Sequence, residues 1–360
     1  ISDVPIGVML SGGLDSSSIV AALGQSSAKH NLNAFTVAFK EREYDESHLA
    51  AEVCKKFGLN FNKLYLEGSE LDDALSDASV LYDEPLVHQN DAQMLALARL
   101  AKKKVTVLLS GEGGDELLGG YVRYKPLKYF NAISPYRGVF QMISKSSRGG
   151  IVNRFDKLSR FLSLSNIDRA VLYNATDIYP GDLELSNDVF ENSVSPYRLK
   201  VLGEAKRIFP NDPSRQSMYC DLFIHMASVL DRNDRMTMGA GIECRVPFMD
   251  YRIVEGALSL PSNILLKGKK GKYILANTIG KKLPPSILSF KKLGFSVPWE
   301  TNFRANESYQ DFIHSGYKQN LLVQQFDIAK DFENSKSPVN EMLKRRLYMV
   351  DKWQQFVFRS

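Results

Sequence analysis

Ser11-Gly12-Gly13, followed at once by Asp15 and Ser16, is a set of residues suited to holding an anion. The apolar, β-rich run from Val4 to Leu10 ends abruptly at Ser11, and the helix-like Ile19-Val20-Ala21-Ala22-Leu23 comes next. A strand feeding a glycine turn that opens a helix aims backbone N–H groups and the positive end of the helix dipole at one spot. Gly12 and Gly13 can take backbone angles that other residues avoid, and they leave room for a phosphate to approach the main chain. No Gly-Lys-Ser/Thr string occurs, so this is not the loop that holds a γ-phosphate with a lysine. Asp15 inside the loop instead suits a magnesium ion bridging an acid to phosphate oxygens. Ser-Gly-Gly alone is common in ligand-free turns. The full string Ser-Gly-Gly-x-Asp-Ser is much rarer.

A second loop repeats the pattern. Lys104 to Leu109 is β-branched and apolar, as a strand requires, and it runs into Ser110-Gly111-Glu112-Gly113-Gly114-Asp115-Glu116. Four glycines and three acids stand within the ten residues that follow this strand. A flexible acidic turn is the plainer alternative, and the packing of these types directly after a buried-type strand argues against it.

The elements that must position these loops alternate. Candidate strands are Val4–Leu10, Asn33–Phe39, Phe61–Leu66 and Lys104–Ser110. Between them, Asp45 can cap a helix carrying Leu49, Val53 and Phe57 on one face, and Ser69 can cap another with Leu71, Leu75 and Ala78. The stretch from Asp91 to Ala101 spaces Met94, Leu97, Ala98 and Ala101 for one helical face. Such alternation implies an α/β fold with a doubly wound parallel sheet. In a strand order of 3-2-1-4 the first and fourth strands are neighbours at the switch point, where ligands bind at the carboxyl ends of strands. Ser11–Ser16 and Ser110–Asp115 then face one crevice, where Asp15 and Asp115 can share magnesium and Glu112 can reach the reacting end of a nucleotide.

The first loop resembles the pyrophosphate loop of the N-type ATP pyrophosphatases, whose fold is adenine nucleotide alpha hydrolase-like. Further stretches narrow the resemblance: Tyr44-Asp45-Glu46-Ser47, Asp83-Glu84-Pro85, Leu109-Ser-Gly-Glu-Gly-Gly-Asp-Glu116 with Gly120-Tyr121, and Asp234-Arg235-Met236. Arg245-Val-Pro-Phe-Met-Asp250, Lys292-Leu-Gly-Phe295 with Pro298, and the closing Trp353-Gln-Gln-Phe356 complete the series. In this order they resemble the synthetase domain of the asparagine synthetase family.

The resemblance implies a carbon–nitrogen ligase working in two steps. ATP activates a carboxylate as acyl-AMP and releases pyrophosphate, and ammonia then forms the amide. It places Ser11, Gly12, Gly13 and Ser16 on the phosphates, and Asp15 and Asp115 on Mg2+. It lines the adenosine with Leu10, Val37, Ser110 and Gly111. It makes Glu112 the catalytic glutamate and Lys292 the cation that offsets charge growing on the α-phosphate and leaving pyrophosphate. Asp234 and Arg235 match a segment that borders the acid substrate. The acid implied first is L-aspartate; the alternative is another acid, such as a surface-polysaccharide sugar or a peptide. A tRNA-modifying enzyme of the superfamily would call for an RNA-binding domain or paired active cysteines, and a non-catalytic relic would have lost Asp15, Glu112 or Lys292.

Charge pattern alone reads other segments more plainly. Asp231-Arg232-Asn233-Asp234-Arg235 looks like a solvated helix face, and Lys267, Lys269, Lys270 and Lys272 look as much like a mobile basic surface as a segment closing over triphosphate. Arg245 to Asp250 reads as an arginine–acid pair fixing a loop. Three departures from the family pattern concern the substrates. Phe290 stands where an arginine precedes the lysine by two, Ala276 replaces the arginine of Lys-x-x-Leu-Arg, and His88 falls near a common acid position.

With 360 residues, 44% of them hydrophobic, the chain can bury a large core. Residues 1–125 read as the ATP-pyrophosphatase α/β core and 126–360 as a mostly helical substrate side, within one asparagine-synthetase-type domain. The chain begins at Ile1, without the N-terminal glutaminase domain of glutamine-dependent members, so the resemblance implies that domain in the full-length protein as a partner. It also allows a homodimer. No run of ~18 apolar residues or signal pattern points to a membrane. A net charge of +5 does not demand nucleic acid. Three scattered cysteines fit a reducing, cytoplasmic setting, and the five histidines lack metal-ligand spacing.

Overall fold

A computed structural model describes residues 3–24, 32–66, 69–86, 88, 90–146, 158–175, 194–268, 271–290, 307–326 and 338–359. The chain forms two compact units. The first comprises Ile1–Gly113, Ser228–Val254 and Ile274–Ser360; the second comprises Gly114–Ala227 and Glu255–Tyr273.

The first unit is built on a five-stranded sheet of β1 (Ile6–Met9), β2 (Asn33–Ala38), β3 (Asn60–Tyr65), β4 (Val107–Leu109) and β5 (Glu243–Arg245). The order is β3-β2-β1-β4-β5 and every pairing is parallel. The 3-2-1-4 order expected from alternation is present, with β5 added beside β4. β5 escaped the sequence reading because Glu-Cys-Arg is too short and polar to show a period. It joins through the backbone: Glu243 N–H donates to Thr106 O at 3.1 Å and Ser110 N–H donates to Arg245 O at 2.9 Å.

The intervening helices bury the faces that their periodicity marks. In α2 (Ser47–Phe57) Leu49 and Val53 are buried together with Ala50 and Cys54, while Phe57 at the helix end is half-buried. In α3 (Ser69–Tyr82) the buried set includes Leu71, Leu75 and Ala78. In α4 (Asp91–Lys102) Met94, Leu97, Ala98 and Ala101 point inward. Leu97, Ala98 and Ala101 pack with Phe35, Val37 and Leu108 of the sheet. Full burial of a side chain such as Leu108 contributes about 1.5–3 kcal/mol.

The second unit opens with α5 (Gly114–Leu118) and is otherwise helical among the described residues. Its core gathers Leu127, Phe130, Phe161, Leu162, Val171 and Leu202. Side-chain caps start three of its helices: Asn166 accepts from Arg169 N–H, Ser195 from Arg198 N–H and Asp212 from Arg215 N–H. Among the described residues no helix is long and apolar enough to cross a membrane. Cys54, Cys220 and Cys244 are free thiols.

Candidate active site

β1 hands the chain to the first loop at Leu10, whose N–H still donates to Phe35 O at 2.9 Å. Gly12 then takes φ +79°, a left-handed angle that a side chain would resist. A methyl group at Gly12 would also lie 2.7 Å from Leu49 Cβ, so the turn rests against the start of α2. That start is pinned by Asp45, which accepts from Ser47 N–H at 3.0 Å and from Ser47 Oγ–H at 2.9 Å. The Tyr44–Ser47 stretch therefore serves as backing for the phosphate-type turn.

Gly13 begins α1 (Leu14–Leu23) in an extended conformation and offers no side-chain cap. Ser11 and Ser16 close the turn instead. Their hydroxyls lie 3.2 Å apart, Ser11 N–H donates to Ser16 Oγ at 3.3 Å, and Gly13 N–H donates to Ser11 Oγ at 3.2 Å. Asp15, 8% exposed, stands in the first turn, at the positive end of the helix dipole.

The second loop leaves the adjoining strand, since Val8 of β1 pairs with Leu109 of β4. A methyl group at Gly111 would come within 2.8 Å of Ser16 N and 3.1 Å of Asp15 Cβ. The two loops are thus in contact through backbone, as the switch-point geometry requires. Val37, near the end of β2, lies two residues beyond the Phe35 that pairs with Met9. Leu10, Ser11, Val37, Ser110 and Gly111 consequently share the carboxyl edge of the sheet.

Glu112 follows Gly111 and is held from one side. Arg232 Nη2 donates to Glu112 Oε1 at 2.8 Å. The same guanidinium reaches Asn90 Oδ1 at 3.0 Å through Nη1 and Asn233 Oδ1 through Nε and Nη2, at 3.1 and 2.8 Å. Arg232 is 4% exposed, so this is a buried cation. Nearby, burial lifts the Asp91 carboxyl to about 7, against the opposing pull of Arg232. Burial, then the Glu112 carboxylate, pushes the Cys244 thiol up to about 12, which leaves it an inert sulfhydryl at neutral pH.

The asparagine synthase family model matches residues 1–347. The chain belongs to the asparagine synthase family. It is 29% identical over 345 residues to asparagine synthetase [glutamine-hydrolyzing] 1 of Bacillus subtilis (strain 168), covering 89% of this chain and 52% of that protein. With asparagine synthetase [glutamine-hydrolyzing] 3 of the same organism it shares 30% over 305 residues, or 81% of this chain and 45% of that protein. Amidase chyE of Penicillium rubens is 24% identical over 339 residues, 82% of this chain and 50% of that protein. The chain spans about half the length of these curated relatives.

In this asparagine synthase family member the remaining expected residues fall as follows. Asp115 lies in the second unit, in α5, and is 7% exposed. Lys292 and the segment through Pro298 lie outside the described residues. Asp234 is exposed on the helix Met226–Met238. Arg235 Nε donates to Asp231 Oδ1 at 3.0 Å and Nη1 to the Tyr82 carbonyl at 2.8 Å. His88 contacts Ser228 Oγ through Nε2 at 3.0 Å. The expected Arg245–Asp250 pair does not form: Arg245 pairs with Glu243 and Asp250 with Arg252, each two residues apart.

Two readings from charge pattern are corrected. Arg232 and Asn233 are not part of a solvated face; they are buried with Val229, Met236 and Thr237, at helical spacing. That i, i+3, i+4 stripe was the available signal. Lys272 is not a mobile surface cation. It is buried, takes φ +48°, and pairs with Asp115 Oδ1 at 2.7 Å. Gly120 makes room for this pair, because a methyl group there would collide with both the Asp115 carboxylate and Lys272 Cε. Next to it, burial and the Asp115 charge lift the Glu116 carboxyl to about 7, while Tyr121 Oη–H donates to it at 2.8 Å.

Proposed function

We propose that this chain catalyses ATP-dependent amide formation. A carboxylic acid attacks the α-phosphorus of ATP, giving acyl-AMP and pyrophosphate, and ammonia displaces AMP from the acyl carbon. The observation that carries this reading is the contact of Gly111 with Ser16 and Asp15, which sets Glu112 beside the glycine turn that opens α1.

In this reading Ser11, Gly12, Gly13 and Ser16 hold the phosphates through N–H groups, hydroxyls and the helix dipole. Leu10, Val37, Ser110 and Gly111 line the adenosine. Asp15 and Asp115 are the magnesium carboxylates. Their hard oxygens fit Mg2+, which is commonly bound by one or two acids together with substrate phosphates. Bound Mg2+ would offset the negative charge of the triphosphate. Glu112 is the catalytic carboxylate, serving adenylate formation or taking the proton of the attacking ammonia. Lys292 stabilises the leaving pyrophosphate. Asp234 and Arg235 orient the acid.

L-Aspartate is the proposed acid and ammonia the proposed nitrogen donor. The names of the matched synthetases support both, and support glutamine as the source of that ammonia in the whole protein. The match to amidase chyE is compatible with a second reading, a different carboxylic acid. The test supplies the chain with MgATP, ammonium chloride and a panel of L-aspartate, L-glutamate and uronic acids. AMP, pyrophosphate and an amide should accumulate with one acid. Release of ADP and phosphate, or no acid-dependent turnover across the panel, would remove the proposal.

A further inference from the structure

The Arg232 guanidinium is a cation on the buried side of the helix Met226–Met238. It is 4% exposed, and removing such a cation from water is costly unless it is paired and fully hydrogen-bonded. Its partners come from three separate parts of the chain. Asn90, immediately before α4, and Asn233, its own neighbour, accept from Nη1, Nε and Nη2. These amides are neutral. They fix the plane of the fork without compensating its charge. Glu112 Oε1, at 2.8 Å from Nη2, supplies the carboxylate. Asp91 lies near enough to feel Arg232, yet burial holds its carboxyl up at about 7, so it is only partly charged at neutral pH.

The geometry of Glu112 is therefore imposed from behind. One oxygen is taken by Arg232, and the side chain as a whole is 35% exposed. We propose that Arg232 is a positioning residue: its buried fork, set by Asn90 and Asn233, clamps one oxygen of Glu112 so that the other meets the substrate. The inference rests on the catalytic role given to Glu112 above. Arg232 touches no reacting atom in this scheme and acts only through that carboxylate. A lysine at 232 would keep the cation but not the fork. Loss of Asn90 would keep the cation and loosen its plane.

The test uses the full chain and the acid that supports pyrophosphate release in the panel described above. Arg232→Lys and Asn90→Ala should each lower kcat about tenfold, and Arg232→Met about a hundredfold, with the Kd for MgATP within about threefold. In a Glu112→Gln background, Arg232→Met should cost no more than about threefold further, because the carboxylate through which Arg232 acts is already gone. Circular dichroism and melting establish that each variant is folded. If Arg232→Met does not fold, the comparison of Arg232→Lys and Asn90→Ala, alone and with Glu112→Gln, decides. Losses that multiply in the double variants, or Arg232→Lys with unaltered kcat, would overturn the clamp while leaving the function intact. An active Glu112→Gln variant would instead remove the role of Glu112, and the clamp with it.

Discussion

A methyl group at Gly111 would lie 2.8 Å from the backbone nitrogen of Ser16, closer than a carbon and an amide nitrogen can approach. Gly111 follows β4, Ser16 opens α1, and nearly a hundred residues separate them. Their contact turns two unremarkable glycine turns into one edge of a site.

Gly111→Ala should therefore act on the site before it acts on the fold. The added carbon meets the Asp15–Ser16 peptide backbone and Asp15 Cβ, none of which can rotate away. We expect MgATP to bind at least tenfold more weakly, with a stability loss of about 1–3 kcal/mol from overpacking. Gly203→Ala is the control. It sits within the helix Pro196–Ile208 with open space around it, and should be neutral or stabilising by up to about 1 kcal/mol. Isothermal titration beside chemical denaturation separates the two effects. Equal ATP affinity in Gly111→Ala and the parent would mean that the loops can part without consequence.

Glu112→Gln and Lys292→Ala test chemistry rather than binding. The phosphate cradle depends on backbone groups that neither change touches. Both variants should remain folded, bind MgATP within about tenfold, and lose on the order of a hundredfold or more in amide formation. Pyrophosphate release measured beside calorimetric ATP binding gives both numbers. Near-normal turnover in either variant would strip that residue of its role.

Lys272 and Asp115 form a buried pair, side chains 7% and 10% exposed. Lys272→Met leaves the Asp115 charge without this partner and should cost about 3–5 kcal/mol. Adding Asp115→Asn should restore a good part of that stability, since the buried charge that lost Lys272 is then gone. Urea unfolding of the two single variants and the double variant measures the coupling. Strictly additive losses would show that the pair contributes nothing as a pair.

Asp91 gives the protein a pH dependence with a definite sign. Burial lifts its carboxyl from 3.8 to about 7, so between those values the folded protein holds a proton that the unfolded chain has released. Stability from this group therefore falls as pH rises from about 4 to about 7 and is level above that. Glu116, lifted from 4.5 to about 7, contributes in the same direction. Asp91→Asn should flatten part of the decline in Tm across that window, leaving the share due to Glu116. An unchanged slope in the variant would show that Asp91 does not titrate there.

Local sequence alone determined the strands, the helices between them and the identity of the two loops. Glycine, serine and carboxylate next to an apolar run are nearest-neighbour features, and a period of two or of 3.6 residues needs only a short window to be seen. Alternation then led to a parallel sheet, and the 3-2-1-4 order followed from the rules of winding. What only the tertiary structure decided is where charge is buried. Arg232 and Lys272 stand in charge-rich stretches that are solvated in most chains. Here Asn90 and Glu112 reach Arg232 from more than a hundred residues away, and Asp115 meets Lys272 across a gap that Gly120 leaves open. β5 belongs to the same class, since its three residues become a strand only against the backbone of β4. Burial of a cation is a property of its distant partners, because they supply the hydrogen bonds and the counter-charge that replace water.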